Sequence, residues 1–186
     1  MIYLILLALE ILVLYLLMRK LLQKIYQRIG MYLFAVLFFP GTFIHEMSHF
    51  LAALFLLVPV GKIELFPERI ERGIKMGSVA IEKTDPVRRT LVGVAPIISG
   101  LTIIFISTSL TLPIWVHLII VFEVGNTMFS SSEDLKGSWI LFFLIPILFI
   151  LKIDWSTIQK VDAFLAIPIG IDGLILLIIR VLKWKK

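Results

Sequence analysis

Long apolar stretches, separated by shorter polar ones, make up most of the chain and mark off six hydrophobic segments. The segments cover residues 2–18, 31–60, 90–111, 113–136, 138–153 and 163–182. Because a helix needs about 20 mostly apolar residues to cross a bilayer, this pattern predicts about six transmembrane helices, several of them short. We expect a kink or local unwinding in the second segment, which contains Pro40, Gly41 and Pro59.

Between the second and third segments the pattern changes to alternation of polar and apolar residues. Residues 62–65 alternate regularly, residues 76–81 form a second and less regular run, and polar residues 68–73 lie between them. A period of two is typical of a strand with one buried face. The pattern predicts a two-stranded amphipathic β-hairpin within residues 62–83, in the membrane interface. An ordinary solvated loop is the alternative interpretation.

The composition also indicates a membrane protein. Of the 186 residues 60% are hydrophobic and 17% are charged, and the mean hydropathy is +1.04. A soluble domain of this length cannot bury so much apolar surface, so lipid must cover part of it. The absence of cysteine excludes disulfides and thiolate metal ligands. We therefore predict one integral membrane domain over residues 1–186, all-α and polytopic, with a small membrane-edge β-hairpin between the second and third helices.

The distribution of lysine and arginine predicts the orientation of this domain. With the amino terminus in the cytoplasm, 12 of the 18 basic residues lie on the inside, seven of them in residues 61–89. Both termini are therefore expected in the cytoplasm of a multi-pass cell-membrane protein, although the basic group at 19–28 then lies outside. The net charge of +5 indicates contact with anionic lipid of the bilayer and requires no nucleic acid. A homo-oligomer is compatible with these features.

The stretch GTFIHEMSHFLAAL, residues 41–54, places His45, Glu46 and His49 inside the second apolar segment. An ionisable group at bilayer depth costs about 2.5–3.5 kcal/mol, so three together indicate a function. Residues four apart share one helix face, so both histidines can direct a ring nitrogen to one point, with Glu46 beside it. This is the H-E-x-x-H zinc motif, in which the histidines bind the ion and the glutamate is the general base. The alternative is a pair of histidines that only bond neighbouring helices.

A catalytic zinc site needs a third protein ligand and an open position for water. The candidates near membrane depth are Glu10, His117, Glu123, Glu133, Asp134 and Asp172. A helix that reaches Gly125 and Asn126 and then meets three serines is expected to lose regular structure. Within a membrane such a break must line a cavity or be buried in protein. It would let Asp134 fold back toward the histidine pair.

With these motifs, the chain resembles the site-2 protease-like intramembrane zinc metalloproteases. HEMSHFLAA is similar to the family's H-E-x-x-H-x-x-x-A motif and ends at Ala53, and the family has a membrane-edge hairpin where this chain has residues 62–83. VAPIISG, residues 94–100, is similar to the family's A-G-P motif. Asn126 and Asp134 are eight residues apart, as are the asparagine and aspartate of the family's N-x-x-P-x-x-x-x-D-G motif.

The resemblance implies a metalloprotease-like core at about residues 31–140, with helices 1, 5 and 6 peripheral. It implies that His45, His49 and Asp134 ligate one Zn²⁺, that Glu46 is the catalytic base, and that Asn126 helps to bind substrate. The expected reaction is hydrolysis of a peptide bond in or near a transmembrane segment of another membrane protein.

Two positions depart from the family pattern and leave alternatives open. Phe129 stands where the family has proline, and Leu135 stands where it has glycine. The loop at 126–137 therefore differs in shape, and Glu133 or Asp172 is an alternative third ligand. For Asp172 we also consider a carboxylate paired with a hydroxyl or basic group between helices. The alternative functions are a catalytically inactive relative that binds membrane proteins, a metal transporter, and a different intramembrane hydrolase.

Overall fold

The computed structural model describes residues 2–66, 68–70, 73–75, 77–129, 134 and 155–181. These residues form four helices, which are α1 (Ile2–Phe55), α2 (Pro86–Ser109), α3 (Ile114–Thr127) and α4 (Trp155–Val181). They also form four short strands, β1 (Val60–Glu64), β2 (Glu68–Ile70), β3 (Gly73–Lys75) and β4 (Ser78–Ile81). The mostly helical class and the small sheet between the second and third apolar segments are thus confirmed.

Helix α1 is folded back on itself at Gly30, where φ is 74° and ψ is 177°. The rings of Tyr26 and Phe34 have centroids 5.8 Å apart across this break, and Leu14 shares a core cluster with Ile44. In a straight helix the latter pair would be about 45 Å apart. The two arms of α1 therefore lie side by side and antiparallel, and they correspond to the first two apolar segments.

The fold-back occurs at Gly30, a residue that can adopt a positive φ. The interruption expected at Pro40 is absent. Glycine adopts positive φ without a steric penalty, whereas the helical backbone continues through Pro40 and Gly41. A Cβ at Gly41 would overlap the side chain of Thr127 and come within 2.8 Å of the carbonyl oxygen of Glu123. The glycine after Pro40 therefore lets α3 approach α1 closely. The basic residues at 19–28, expected between two spans, continue the first arm as helix.

The predicted hairpin is formed by β1 and β4, which pair antiparallel with Val60 opposite Ile81 and Ile63 opposite Val79. The register shifts between these two pairs, which marks a bulge in β1. The polar turn of the prediction contains a second antiparallel pair, β2 with β3. Before the hairpin, α1 ends at Phe55 and is closed by a Schellman motif. Leu57 has a φ of 55°, and the N–H of Val58 donates to the carbonyl oxygen of Ala53 at 2.8 Å.

All four helices contribute to one core cluster, and a smaller cluster holds the hairpin. The core cluster consists of Leu14, Ile104, Val121, Val124, Met128 and Leu165. The smaller cluster of Ala53, Val58 and Val92 joins the end of α1 to the start of α2, with Val60 and Ile81 of the hairpin packed on it. The hairpin therefore lies against the same helical turns that follow the H-E-x-x-H motif.

Two helical segments of the described chain, Leu9–Phe55 and Pro86–Ser107, are long and apolar enough to cross a membrane by length and composition, and Ile114–Thr127 is a shorter apolar helix. The fifth predicted segment, 138–153, lies outside the described residues. The helix of the third apolar segment, α2, begins at Pro86, four residues earlier than the predicted start at residue 90. Asp85 caps it by accepting hydrogen bonds from the N–H groups of Val87 and Arg88, both at 3.0 Å. Pro86 follows at the first helical position, where proline is favoured.

Replacing Asp85 by alanine is expected to lower the thermal unfolding midpoint at pH 7, because two N–H groups at the start of α2 lose their acceptor. The pKa of Asp85 is below its usual value, first because of the backbone bond from Arg88. Because the pKa of Asp85 is lower in the folded state than in the unfolded state, the ionised carboxylate stabilises the fold at pH values above the unfolded pKa of about 3.9. This stabilisation is lost as the pH falls through the pKa of the folded state. Asp85→Asn keeps an acceptor and should lack that pH dependence. Equal midpoints for wild type and Asp85→Ala at pH 7 would contradict this role.

Candidate metal centre

Helix α1 directs His45 and His49 toward one point. The two side chains are one helical turn apart, and their Nε2 atoms are 3.2 Å from each other. The rings stand nearly perpendicular, at 80°, with centroids 4.9 Å apart. His49 is buried and His45 is half-buried. The predicted geometry of the motif, two imidazole nitrogens aimed at one place, is present in the fold.

The other ring nitrogen of each histidine contacts a backbone carbonyl from a different helix. His45 Nδ1 lies 2.6 Å from the carbonyl oxygen of Thr127, at the end of α3. His49 Nδ1 lies 2.8 Å from the carbonyl oxygen of Val92, in α2. A carbonyl can only accept, so each Nδ1 must carry the proton and donate it. Both Nε2 atoms then present lone pairs in the neutral rings, which is how metal-bound histidines are oriented in known centres.

Facing lone pairs at 3.2 Å repel, so a cation or an additional proton must lie between them. In a tetrahedral zinc site with bonds of about 2.0–2.1 Å, two ligand atoms are about 3.3–3.4 Å apart. The separation of the two Nε2 atoms is close to this value. The arrangement therefore fits two nitrogen ligands of one zinc ion without any movement of the backbone.

Asp134 completes a group of three possible ligands. Its Oδ1 lies 3.5 Å from His49 Nε2, and the ligand atoms of His45, His49 and Asp134 all lie within 4.8 Å of one another. In the described part of the chain this is the one group of three histidine or acidic side chains so close together. Two nitrogens and one carboxylate oxygen are the ligand types that a catalytic zinc site uses.

A glycine of α2 brings Asp134 to this position. The backbone of Asp134 lies directly against Gly93, where a Cβ would overlap the Asp134 carbonyl oxygen. Gly93 is next to Val92, whose carbonyl accepts from His49. One turn of α2 therefore fixes both a histidine ring and the backbone of the carboxylate residue.

Glu46 is buried next to the histidines and touches the hairpin. The residue is 7% exposed. A Cβ on Gly77, the residue before β4, would be 2.9 Å from Glu46 Cγ and 3.0 Å from its Oε1. The hairpin therefore meets the predicted catalytic base at a position where only a glycine fits without displacing it.

Small residues let α2 approach the motif. Ser48 Oγ lies 2.5 Å from Ser99 Oγ and 2.6 Å from the carbonyl oxygen of Ile44. Close approach through serine and alanine is typical of helices packed within a membrane. Ala53, further along the same helix, packs on Val92 of α2.

The remaining predicted site residues lie elsewhere or outside the described chain. Asn126 Nδ2 donates to Asp172 Oδ1 at 2.9 Å. Asp172 is thus paired between helices, but its partner is an amide where a hydroxyl or basic group was expected. Glu133 lies outside the described residues. Glu10, Glu123 and His117 do not belong to the group of three formed by His45, His49 and Asp134. The assignment of Asn126 to substrate binding stays a prediction.

Several contributors to the site were not predicted. The carbonyl groups of Thr127 and Val92 are backbone atoms, which every residue has, so the sequence carries no signal for them. Gly77 and Gly93 act through the absence of a side chain, and glycines are common in loops and membrane helices for other reasons. Only the close approach of another chain segment in the fold reveals their role.

Comparison of the chain with models of known protein families, with curated proteins and with solved structures finds no match. The chemistry of this site therefore follows from its own residues, distances and burial.

Proposed function

We propose that this chain is an intramembrane zinc endopeptidase, similar to the site-2 proteases, that hydrolyses a peptide bond in or near a transmembrane segment of another membrane protein. One observation carries the proposal. Two imidazole Nε2 atoms lie 3.2 Å apart with a carboxylate oxygen at 3.5 Å from one of them, while both Nδ1 atoms are bonded to carbonyls. Two nitrogens and one carboxylate oxygen, with each ring oriented through its Nδ1, match the ligand types and the supporting hydrogen bonds of a catalytic zinc site.

The position of the site in the fold supports action on membrane-embedded substrates. His45 lies ten residues before the end of α1 at Phe55, or about 15 Å along the helix axis. Large apolar side chains around it face outward, among them Phe39, Phe43 and Leu54. We propose about six membrane spans, with lipid covering these side chains, so that a substrate reaches the site from within the bilayer.

Each residue of the site has one task in the proposed reaction. His45, His49 and Asp134 would hold a single zinc ion, which would supply Lewis-acid polarisation of the scissile carbonyl and of the attacking water. Glu46 accepts a proton from the attacking water at its carboxylate and delivers it to the nitrogen of the leaving amine. The carbonyl groups of Thr127 and Val92 keep both rings in the tautomer that leaves Nε2 free.

The hairpin is proposed to hold the substrate in an extended form. A peptide bond in a helix is shielded, and its backbone groups cannot be left unpaired in lipid, so a cleavable segment needs new hydrogen-bond partners. An exposed strand of a two-stranded sheet can supply them by strand addition. A cavity of about 460 Å³ is lined by residues 62–66 and Glu68, at the end of β1, and Gly77, just before β4, lies against Glu46. An extended segment along this hairpin would therefore lead to the catalytic base.

The metal site predicts one zinc per chain in purified wild type and a large loss of bound zinc in His45→Ala and Asp134→Ala, since each removes one of three protein ligands. Mass-spectrometric metal analysis of the protein in detergent measures this directly. Asp172→Ala, tested at saturating zinc, should keep one ion. Wild type without zinc at any added concentration would instead indicate a proton between the two Nε2 atoms, and the protease proposal would be wrong.

Glu46→Gln should abolish cleavage while keeping zinc, because glutamine has nearly the same shape but cannot accept the proton. The measurement compares new peptide termini in membranes from cells that express wild type or Glu46→Gln. Termini within transmembrane segments should occur only with wild type. Identical sets of termini from wild type and Glu46→Gln would show that the protein binds membrane proteins without cutting them. If both proteins transport zinc after reconstitution into liposomes, the chain is a transporter.

Gly77→Ala should lower cleavage strongly while leaving the zinc content unchanged, because the added Cβ displaces the Glu46 side chain and not the ligands. Gly61→Ala is the matched control on β1, where a Cβ would meet Ala80 at an ordinary 3.4 Å. The same cleavage assay measures both variants. Full activity of Gly77→Ala, or equal losses in both variants, would disprove a specific contact between the hairpin and the catalytic base.

A further inference from the structure

A buried polar pair joins α3 to α4 outside the group of metal ligands. Asn126 Nδ2 donates to Asp172 Oδ1 at 2.9 Å and to the carbonyl oxygen of Phe122 at 2.9 Å. Both bonds are to acceptors, which fixes the orientation of the amide, since a flipped amide would place its oxygen against two other oxygens. Asn126 is 1% exposed and Asp172 is 0% exposed. The pair therefore holds the last turn of α3 on α4 with a single geometry.

Joining two helices through this polar pair costs free energy of folding. Asn126 Oδ1 and Asp172 Oδ2 are buried and accept no hydrogen bond from the described residues. Buried polar atoms without a partner destabilise a fold, and well-packed apolar residues in their place would usually stabilise it. A purely structural contact would not need the carboxylate. Polar groups that persist at such a cost are typically kept for specificity or function.

The anchored turn is the one that carries the carbonyl bonded to His45. Thr127 follows Asn126 directly and is the last residue of α3. The last four carbonyl groups of a helix have no partner within it, so the carbonyl of Thr127 is available to His45 Nδ1, at 2.6 Å. The same lack of partners makes a helix end prone to fray. A short path of contacts thus runs from Asp172 through Asn126 and the backbone of Thr127 to His45.

We propose that Asp172 is a positioning residue for the metal site and acts through Asn126. The carboxylate of Asp172 holds the Asn126 amide, which keeps the last turn of α3 in place. The carbonyl of Thr127 then holds the His45 ring with Nε2 directed at the ion. The inference rests on the proposed zinc site and assigns Asp172 a role other than that of the alternative third ligand. It also gives α4 a function in zinc binding.

The test measures zinc affinity, with a chromophoric chelator as competitor, and the absorption spectrum of the Co²⁺-substituted protein. Loss of a residue that orients a metal ligand typically lowers metal affinity about 10–100-fold. We expect a loss in this range for Asp172→Ala and for Asn126→Ala, with one ion still bound at saturation and a Co²⁺ spectrum that keeps its ligand number. Asp172→Asn retains an oxygen that can accept from Asn126 and should restore most of the affinity.

The double variant separates a path through Asn126 from two independent effects. If Asp172 acts through Asn126, adding Asp172→Ala to Asn126→Ala should lower the affinity no further. Leu165→Ala is the control for general destabilisation of α4, since Leu165 is buried in the core cluster and touches none of these groups through hydrogen bonds. It should reduce the unfolding temperature while zinc affinity stays near that of wild type.

Three outcomes would overturn the inference. Wild-type zinc affinity in Asp172→Ala, or additive losses in the double variant, would show that no such path exists. Loss of the bound ion at saturation, or a Co²⁺ spectrum that indicates one ligand fewer, would make Asp172 a ligand. These results differ from failure of the proposed function, in which wild type itself binds no zinc and His45→Ala changes nothing.

Discussion

The structure depends on one constraint, the close approach of two imidazole Nε2 atoms. The Nδ1–H group of each ring already donates a hydrogen bond to a backbone carbonyl. His45 Nε2 and His49 Nε2 lie 3.2 Å apart in a region that α2 and α3 cover. In a medium of low dielectric constant such an approach is strongly unfavourable unless a positive charge lies between the rings. Gly41, Gly93 and the serine pair at Ser48 and Ser99 allow the helices to come close enough to enforce it.

The contacts that form the site join distant parts of the chain. The bond from His45 to Thr127 spans 82 residues, that from His49 to Val92 spans 43, and that from Asn126 to Asp172 spans 46. No helix on its own holds the rings in place. The rings therefore reach their positions only when α1 has packed against α2 and α3. The proposed path from Asp172 would let a residue in α4 influence a ligand in α1 without touching it.

Much of the fold and the centre of the site could be predicted from the sequence, because each depends on side-chain type and spacing. The apolar segments anticipate the helices, alternation at 62–65 anticipates β1, and the spacing of His45 and His49 anticipates their shared face. Asp134 was predicted as the third ligand from the spacing of a motif. The sequence could not decide between Asp134 and the alternative ligands Glu133 and Asp172. A turn between the first two apolar segments was expected, but its position at Gly30 was not, because one glycine after polar residues is equally compatible with a longer loop. The pairing of Asn126 with Asp172 was hidden as well, since it depends on how two helices pack.

The fold-back at Gly30 also relates the two ends of α1 to each other. Because its arms run antiparallel, Ile2 and Phe55 end at the same side of any layer that the helix crosses. The hairpin begins five residues after Phe55. The compartment that contains Ile2 would therefore also contain β1 and β4, so the location of a tag on the first residue would also give the location of the hairpin.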